Sequence, residues 1–193
     1  TFPRGLEDCV TAYKWMLQNG TEDSNPSNSS FVMGDSSGGN LTLATLLVLK
    51  DRQIDLPDGA IALSPVTDMT WSSHSIKRNV KSDAILNAKL MPMISYAYLK
   101  KKNNPKIPYA SPLFGDLRYL PPILLQVGNT EILLDDAVNF FEKAQAAGVD
   151  TTLEIYPDMP HVFQVFAPYL PDATLALERI GEFINKQCFN DID

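Results

Sequence analysis

The feature that most constrains the fold of this chain is a glycine-rich turn, GDSSGG, at residues 34–39. A short apolar run precedes it at 31–33, and a longer apolar stretch follows it at 41–49. A strand that ends in a tight turn and continues into a helix is the context in which G-x-S-x-G indicates a nucleophile elbow. Gly34 and Gly38 remove side chains that would collide where strand and helix approach each other. The pattern therefore predicts that Ser36 lies at a strained backbone position, with its hydroxyl projecting above a sheet.

Two other interpretations of the turn are an ordinary strand-to-helix connection and an anion-binding loop. Phosphate binding is disfavoured because the chain contains neither G-x-x-x-x-G-K-[ST] nor G-x-G-x-x-G. A trypsin-like site has a similar sequence around its serine, but it requires a histidine earlier in the chain, and none precedes Ser36. We therefore favour the nucleophile interpretation.

A nucleophilic serine needs a base, and the base needs a carboxylate that orients it. The sequence contains two histidines, His74 and His161. His161 follows the apolar run 152–156, so it is predicted to lie in a loop at the carboxyl end of a strand, where open parallel sheets place their sites. His74 lies in a polar stretch and is predicted to be a surface residue.

Three carboxylates after the apolar run 123–127 are candidates for the acid: Glu131, Asp135 and Asp136. Asp135 and Asp136 fall where a helix is predicted to begin, and negative charge at a helix N-terminus accounts for them. Glu131 is nearest to the end of the predicted strand and is followed by apolar residues that would hold the loop. The sequence therefore favours Glu131 as the acid.

Further segments extend the pattern along almost the whole chain. They are FPRGLED (2–8), GDSSGGN (34–40), SPVTD (64–68), SPLF (111–114), GNTEILLDD (128–136) and MPHVF (159–163). In this order and at this spacing, they resemble the hormone-sensitive-lipase-like family of α/β-hydrolase esterases, particularly its bacterial carboxylesterases. The resemblance implies an α/β-hydrolase fold, in which helices flank a mostly parallel sheet and a partial helical cap covers the site.

The resemblance also implies a reaction, the hydrolysis of small acyl esters by a serine carboxylesterase without a cofactor or a metal. Ser36 would attack the ester carbonyl, His161 would accept the proton, Glu131 would orient the imidazole, and the Ser37 N–H would donate to the oxyanion. The alternatives are an amidase or peptidase on the same scaffold, a catalytically inert fragment, and a ligand-binding relative.

Two departures from the family pattern affect these expectations. Glu131 stands where most members carry an aspartate, and the upstream His-Gly-Gly-Gly segment has no counterpart in the chain. The apolar runs predict four parallel strands, half of the sheet that the resemblance implies, with the Ser36 strand at an open edge. We expect residues 1–193 to form a single α/β-hydrolase domain that lacks its N-terminal strands. By themselves they are expected to hydrolyse esters weakly or not at all.

The segment between the second and third predicted strands is longer than a crossover requires. Residues 81–101 have helical character, and the basic run 100–102 follows that apolar pattern. A core helix accounts for this segment, and so does a cap over the substrate pocket. The resemblance favours a cap insertion at residues 70–108.

The composition bears on partners and location. A net charge of −7 and a pI near 4.8 argue against nucleic acid and anionic membranes as partners, because both require basic patches. Cys9 and Cys188 are far apart and form no C-x-x-C pair, which predicts two reduced thiols and a cytoplasmic location. With only two histidines, no metal site is expected.

Residues 21–30 are predicted to form a polar loop, and residues 172–184 an amphipathic helix that packs on the sheet. The resemblance suggests a homodimer formed by this helix and the edge strand 152–156.

Overall fold

The computed structural model describes residues 1–20, 29–100 and 104–189. Most of the predicted polar loop 21–30 and two residues of the basic run 100–102 lie outside these residues. In the described part, the α-helices are α1 (Arg4–Gln18), α2 (Ser37–Asp51), α3 (Ser75–Arg78), α4 (Met91–Leu99), α5 (Leu134–Ala146) and α6 (Pro171–Phe189). The strands are β1 (Phe31–Asp35), β2 (Gly59–Leu63), β3 (Ile123–Gly128) and β4 (Thr151–Tyr156). Short 3-10 helices lie at Ala88–Leu90, Pro112–Phe114 and Phe163–Phe166.

The strands pair in parallel in the order β1-β2-β3-β4 within the described residues. The predicted parallel sheet is therefore confirmed, and β1, which leads into Ser36, lies at one edge as expected. Because all the strands point the same way, the loops that leave β1, β2, β3 and β4 at their carboxyl ends gather along one edge of the sheet. That edge is where the candidate site lies.

Successive side chains of the central strands point to opposite faces of the sheet, as the period of a strand requires. Ala60 and Ala62 of β2 pack in a cluster with α2 and α5, whereas Ile61 and Leu63 pack in a second cluster with α6. Both faces are therefore covered by helices, which explains why these strands have continuous apolar runs rather than alternating ones. Burial of each large side chain contributes roughly 1.5–3 kcal/mol to folding.

Helix α2 is apolar on all sides because it packs between the sheet and α1. Leu43 and Leu46 contact the sheet cluster, while Ala44 and Val48 contact a separate cluster with Leu6 and other residues of α1. A helix that is covered on two faces shows little amphipathicity. This double burial fixes the helix that begins directly after Ser36.

The predicted helix at 81–101 is wrong in its first half and confirmed in its second, where α4 forms. Asp83 accepts hydrogen bonds from the N–H groups of Ile85 and Leu86 (2.9 and 2.8 Å), and Asn87 accepts one from the N–H of Lys89 (3.0 Å). Short polar side chains that bind nearby backbone groups in this way compete with helix formation. The polar residues before α4 therefore form turns.

Helix α6 covers the sheet as predicted, with Ile180, Phe183 and Ile184 packed against residues of β2 and β3. Its buried residues are Ala173, Ala176 and Ile180, while Leu175 and Leu177 are exposed. The small residues allow close approach to the sheet, which the apolar count alone does not reveal. Exposed apolar side chains on α6 and β4 are compatible with the homodimer, which stays a prediction.

Among the described helices, none is both long enough and apolar enough to cross a membrane. The cytoplasmic location inferred from the cysteines stays a prediction. Cys9 and Cys188, both in described helices, are half-buried and unpaired.

Candidate active site

Ser36 lies at the junction of β1 and α2 in a strained conformation. Its φ of 54° and ψ of −114° are unusual for a residue other than glycine. The backbone is held there by hydrogen bonds from the Ser36 N–H to Leu63 O (2.8 Å) and from the Asn40 N–H to Ser36 O (3.1 Å). The turn therefore has the sharp geometry that was expected for this serine.

Two glycines near Ser36 are required for close packing, Gly34 and Gly39, whereas the sequence suggested Gly34 and Gly38. A Cβ at Gly34 would lie 2.5 Å from the carbonyl carbon of Gly38, so this glycine is needed. A Cβ at Gly38 would meet no described atom within 4 Å, and the prediction for that side chain is wrong. Gly39 is the second restricted position, because its Cβ would lie 2.9 Å from Cβ of Pro65. The reason is tertiary, since Pro65 belongs to the loop after β2.

The structure brings Ser36, His161 and Glu131 together. Oγ of Ser36 lies 2.9 Å from Nε2 of His161, and Nδ1 of His161 lies 2.7 Å from Oε2 of Glu131. Glu131 is fully buried and His161 is 7% exposed. With a neutral imidazole, the serine hydroxyl donates to Nε2 and the Nδ1–H donates to the carboxylate. This arrangement can remove a proton from the hydroxyl and stabilise the resulting imidazolium.

The carboxylate of Glu131 is held by two further donors. The N–H of Gly128 and the hydroxyl of Ser64 both donate to Oε1, at 2.6 and 2.7 Å. Gly128 also permits close contact with the histidine loop, because a Cβ there would lie 2.7 Å from the carbonyl carbon of Met159 and nearer still to its oxygen. The two loops that carry the acid and the base thus touch at a position where only glycine fits.

The other candidate acids point away from the histidine. Asp135 accepts the N–H of Ser75 (2.7 Å) and forms an ion pair with Arg78 (2.7 Å). Asp136 is fully buried and accepts the N–H groups of Thr67 (2.9 Å) and Asp68 (3.0 Å). Burial raises the pKa of Asp136 to about 6, although these donors oppose the shift. Asp136 therefore does more than complement a helix N-terminus, since it also holds the loop after β2.

Ser37, the predicted oxyanion donor, is the first residue of α2 and is exposed. N–H groups in the first turn of a helix have no intrahelical acceptor, and the helix dipole places positive charge there. His74, predicted to be a surface residue, is exposed. A cavity of about 240 Å³ lies beside the start of α2; its lining is Ser37, Asn40, Leu41, Met69, Ile94 and Tyr98.

Ser64 is the residue at this site that the sequence reasoning missed. The segment 64–68 carries the family resemblance, but no role follows from its residue types. One signal in the sequence could have found it. Ser64 is the first residue after β2, and β2 lies between β1, which leads to Ser36, and β3, which leads to Glu131. Residues in that position on a parallel sheet face the same edge as the site.

Comparisons with known proteins identify the fold family of the chain. Residues 1–165 match the alpha/beta hydrolase fold family. The chain is 38% identical to an esterase of Acinetobacter venetianus, covering 94% of this chain and 59% of that protein. It is 36% identical to an acetyl-hydrolase of Streptomyces hygroscopicus, covering 95% and 60%.

Solved structures give the same result. An esterase from the bacterial hormone-sensitive lipase (HSL) family superposes with a TM-score of 0.89 at 45% identity, covering 97% of this chain and 61% of that one. The esterase EstE5 superposes with a TM-score of 0.90 at 41% identity, covering 97% and 62%. The chain thus spans about three fifths of the length of these relatives.

Proposed function

Because the chain belongs to the alpha/beta hydrolase fold family and resembles its hormone-sensitive-lipase-like esterases, we propose that it is a serine carboxylesterase acting on small acyl esters. The observation that carries the proposal is the continuous series of hydrogen bonds Ser36–His161–Glu131 at the carboxyl edge of the sheet. Relatives named esterase and acetyl-hydrolase support the reaction class.

In the proposed mechanism, Oγ of Ser36 attacks the ester carbonyl carbon while Nε2 of His161 takes the hydroxyl proton. The carbonyl π electrons move to oxygen and give a tetrahedral oxyanion. As the oxyanion collapses, the imidazolium gives its proton to the leaving alcohol, and an acyl-Ser36 ester remains. Water then attacks this ester with His161 again as the base, which releases the acid and restores the serine. Glu131 holds the imidazole orientation and stabilises its positive charge.

The oxyanion would be stabilised by the Ser37 N–H and by the positive end of the α2 dipole. The resemblance assigns further donors to a glycine segment that these 193 residues do not contain. Loss of a single oxyanion donor costs on the order of 10²–10³ in rate. We therefore propose that residues 1–193 alone are a weak esterase at best.

The cavity beside Ser37 would receive the acyl or alcohol group of the substrate. Its apolar lining from Leu41, Met69 and Ile94 suits an uncharged aliphatic group, and its volume of about 240 Å³ suits a small one. Ile94 and Tyr98 reach this cavity from α4, while Met91 and Leu99 of the same helix are buried in a hydrophobic cluster below. We propose on this basis that residues 70–108 act both as a cap and as part of the core.

The test is covalent labelling by a fluorophosphonate, which reacts with an activated serine. Wild-type protein is expected to be labelled once, Ser36→Ala is expected to remain unlabelled, and the exposed-serine control Ser72→Ala is expected to be labelled like wild type. Equal labelling of the Ser36→Ala protein would refute the assignment of the nucleophile.

A substrate panel then decides the reaction class. Hydrolysis of short p-nitrophenyl esters without hydrolysis of peptide anilides supports the esterase, whereas the reverse result supports an amidase on the same scaffold. The panel is run on the 193-residue chain and, for comparison, on the longer esterase of Acinetobacter venetianus. Equal turnover by both would refute the proposal that the 193 residues alone are weak.

A further inference from the structure

Ser64 is a buried polar residue in an unusual backbone conformation next to the proposed triad. It is fully buried and has a φ of 46°, in the region that residues other than glycine rarely adopt. Its N–H donates to Gln126 O (2.7 Å), so the backbone is tied to β3 directly after β2 ends. Backbone strain of this kind persists only where surrounding contacts compensate for it, and it is concentrated at functional sites.

The hydroxyl of Ser64 joins the loop of the acid to the loop of the base. It donates to Oε1 of Glu131 at 2.7 Å and accepts the N–H of Val162 at 3.2 Å. Val162 follows His161 directly and has a φ of 52°, which is costly for a β-branched side chain. One hydroxyl thus contacts the carboxylate that orients the imidazole and the backbone that carries it.

We propose that Ser64 is a positioning residue that fixes the Glu131 carboxylate and, through it, the orientation of His161. This inference rests on the proposed function. A glutamate has one more rotatable bond than an aspartate, so its carboxylate needs more restraint to hold a single geometry. Oε1 is restrained by Ser64 and by the Gly128 N–H, which leaves Oε2 directed at Nδ1 of His161. Both donors also share the negative charge of the carboxylate.

The other carboxylates on the packing segments have different partners. Asp83 accepts the N–H of Ile132, Asp135 binds Ser75 and Arg78, and Asp136 binds the loop after β2. Within the described residues, none of them forms a hydrogen bond to the acid or the base. Apart from the imidazole of His161, the Ser64 hydroxyl is the side-chain donor to the Glu131 carboxylate among the described residues.

A purely structural role would also explain a buried, hydrogen-bonded serine, and the two accounts predict different results. Ser111 is the matched control because it is equally buried, also precedes a proline, and forms hydrogen bonds to Met69 N (2.8 Å) and Pro105 O (2.6 Å). Ser64→Ala and Ser111→Ala each remove a buried hydroxyl. Each also removes the acceptor of a backbone N–H, that of Val162 in the first variant and that of Met69 in the second. Thermal unfolding is expected to show similar losses for both.

The kinetic experiment separates positioning from stability. Ser64→Ala is expected to lower kcat roughly tenfold with KM unchanged within about twofold, since a small misplacement of the base slows the chemical step. Ser111→Ala should leave kcat unchanged. A rate loss for Ser64→Ala that is equal to that of Ser111→Ala, or that appears in KM alone, would overturn the proposal.

A second measurement does not depend on turnover. The proton on Nδ1 of His161, which bridges to Glu131, is expected to give a low-field proton NMR signal, and the loss of this signal in His161→Gln would assign it. Ser64→Ala is expected to shift or broaden this signal, and Ser111→Ala to leave it in place. If the wild-type protein is not labelled at Ser36 by the fluorophosphonate but Ser64→Ala shifts the signal, the esterase function is refuted and the positioning role is supported. If the wild-type protein is labelled but Ser64→Ala leaves the signal in place, the positioning role is refuted and the esterase function is supported. If Ser64→Ala does not fold, Ser64→Cys keeps a weak donor and is expected to show a smaller shift in the same direction.

Discussion

Gly128→Ala is expected to separate the acid loop from the histidine loop. The added Cβ would lie 2.7 Å from the carbonyl carbon of Met159, and ordinary contact requires roughly 3.4 Å. The histidine loop must therefore move back by at least about 0.7 Å. His161 follows Met159 by two residues, so its imidazole moves with the loop, away from Ser36. A misplacement on the order of 1 Å costs on the order of 10² in rate, or about 2.7 kcal/mol of transition-state stabilisation.

The assay is kcat/KM for p-nitrophenyl acetate, with thermal unfolding measured in parallel. Gly181→Ala is the control, because it lies in α6 and its Cβ would meet no described atom within 4 Å. The control should keep full activity and gain roughly 0.5–1 kcal/mol of stability, as alanine favours a helix interior over glycine. A folded Gly128→Ala protein with at least half of the wild-type kcat/KM would refute the reasoning, since it would show that this contact does not position the base.

Two further predictions concern stability. Gly34→Ala is expected to destabilise the fold by about 1–3 kcal/mol, because its Cβ would lie 2.5 Å from the carbonyl carbon of Gly38. Gly38→Ala should cost nothing, and equal losses in urea unfolding would contradict this contrast. Burial raises the pKa of Asp136 to about 6 from 3.8, so the folded protein holds this proton more tightly than the unfolded chain does. The resulting stability is complete below about pH 4 and is lost as the pH rises through about 6. Asp136→Asn stays neutral, so it should match wild type near pH 4 and exceed it by up to about 3 kcal/mol at pH 7.5. Urea unfolding at several pH values checks this, and a wild type that gains on the variant with rising pH would contradict it.

Local sequence patterns were sufficient to predict the strands of the sheet and the turn that carries Ser36. The apolar runs of β2 and β3 predicted these strands because a strand buried on both faces needs continuous apolar residues, which is a property of the run itself. The turn around Ser36 was recognisable because strand, glycines and helix follow one another within a few residues. The same reasoning selected Glu131 over its neighbours, and the structure brings its carboxylate to 2.7 Å from His161.

The sequence alone thus determined the order of the elements, the strained serine and the candidates for acid and base, since each depends on neighbours along the chain. Only the tertiary structure decided that Ser64 binds the acid, that Gly39 rather than Gly38 must lack a side chain, and that Asp136 anchors a distant loop. These features depend on which segments meet in space, and their partners lie roughly 30 to 70 positions away along the chain. The roles of the Ser64 hydroxyl, of the absent side chain at Gly39 and of the Asp136 carboxylate are therefore set by the groups that tertiary packing brings into contact with them.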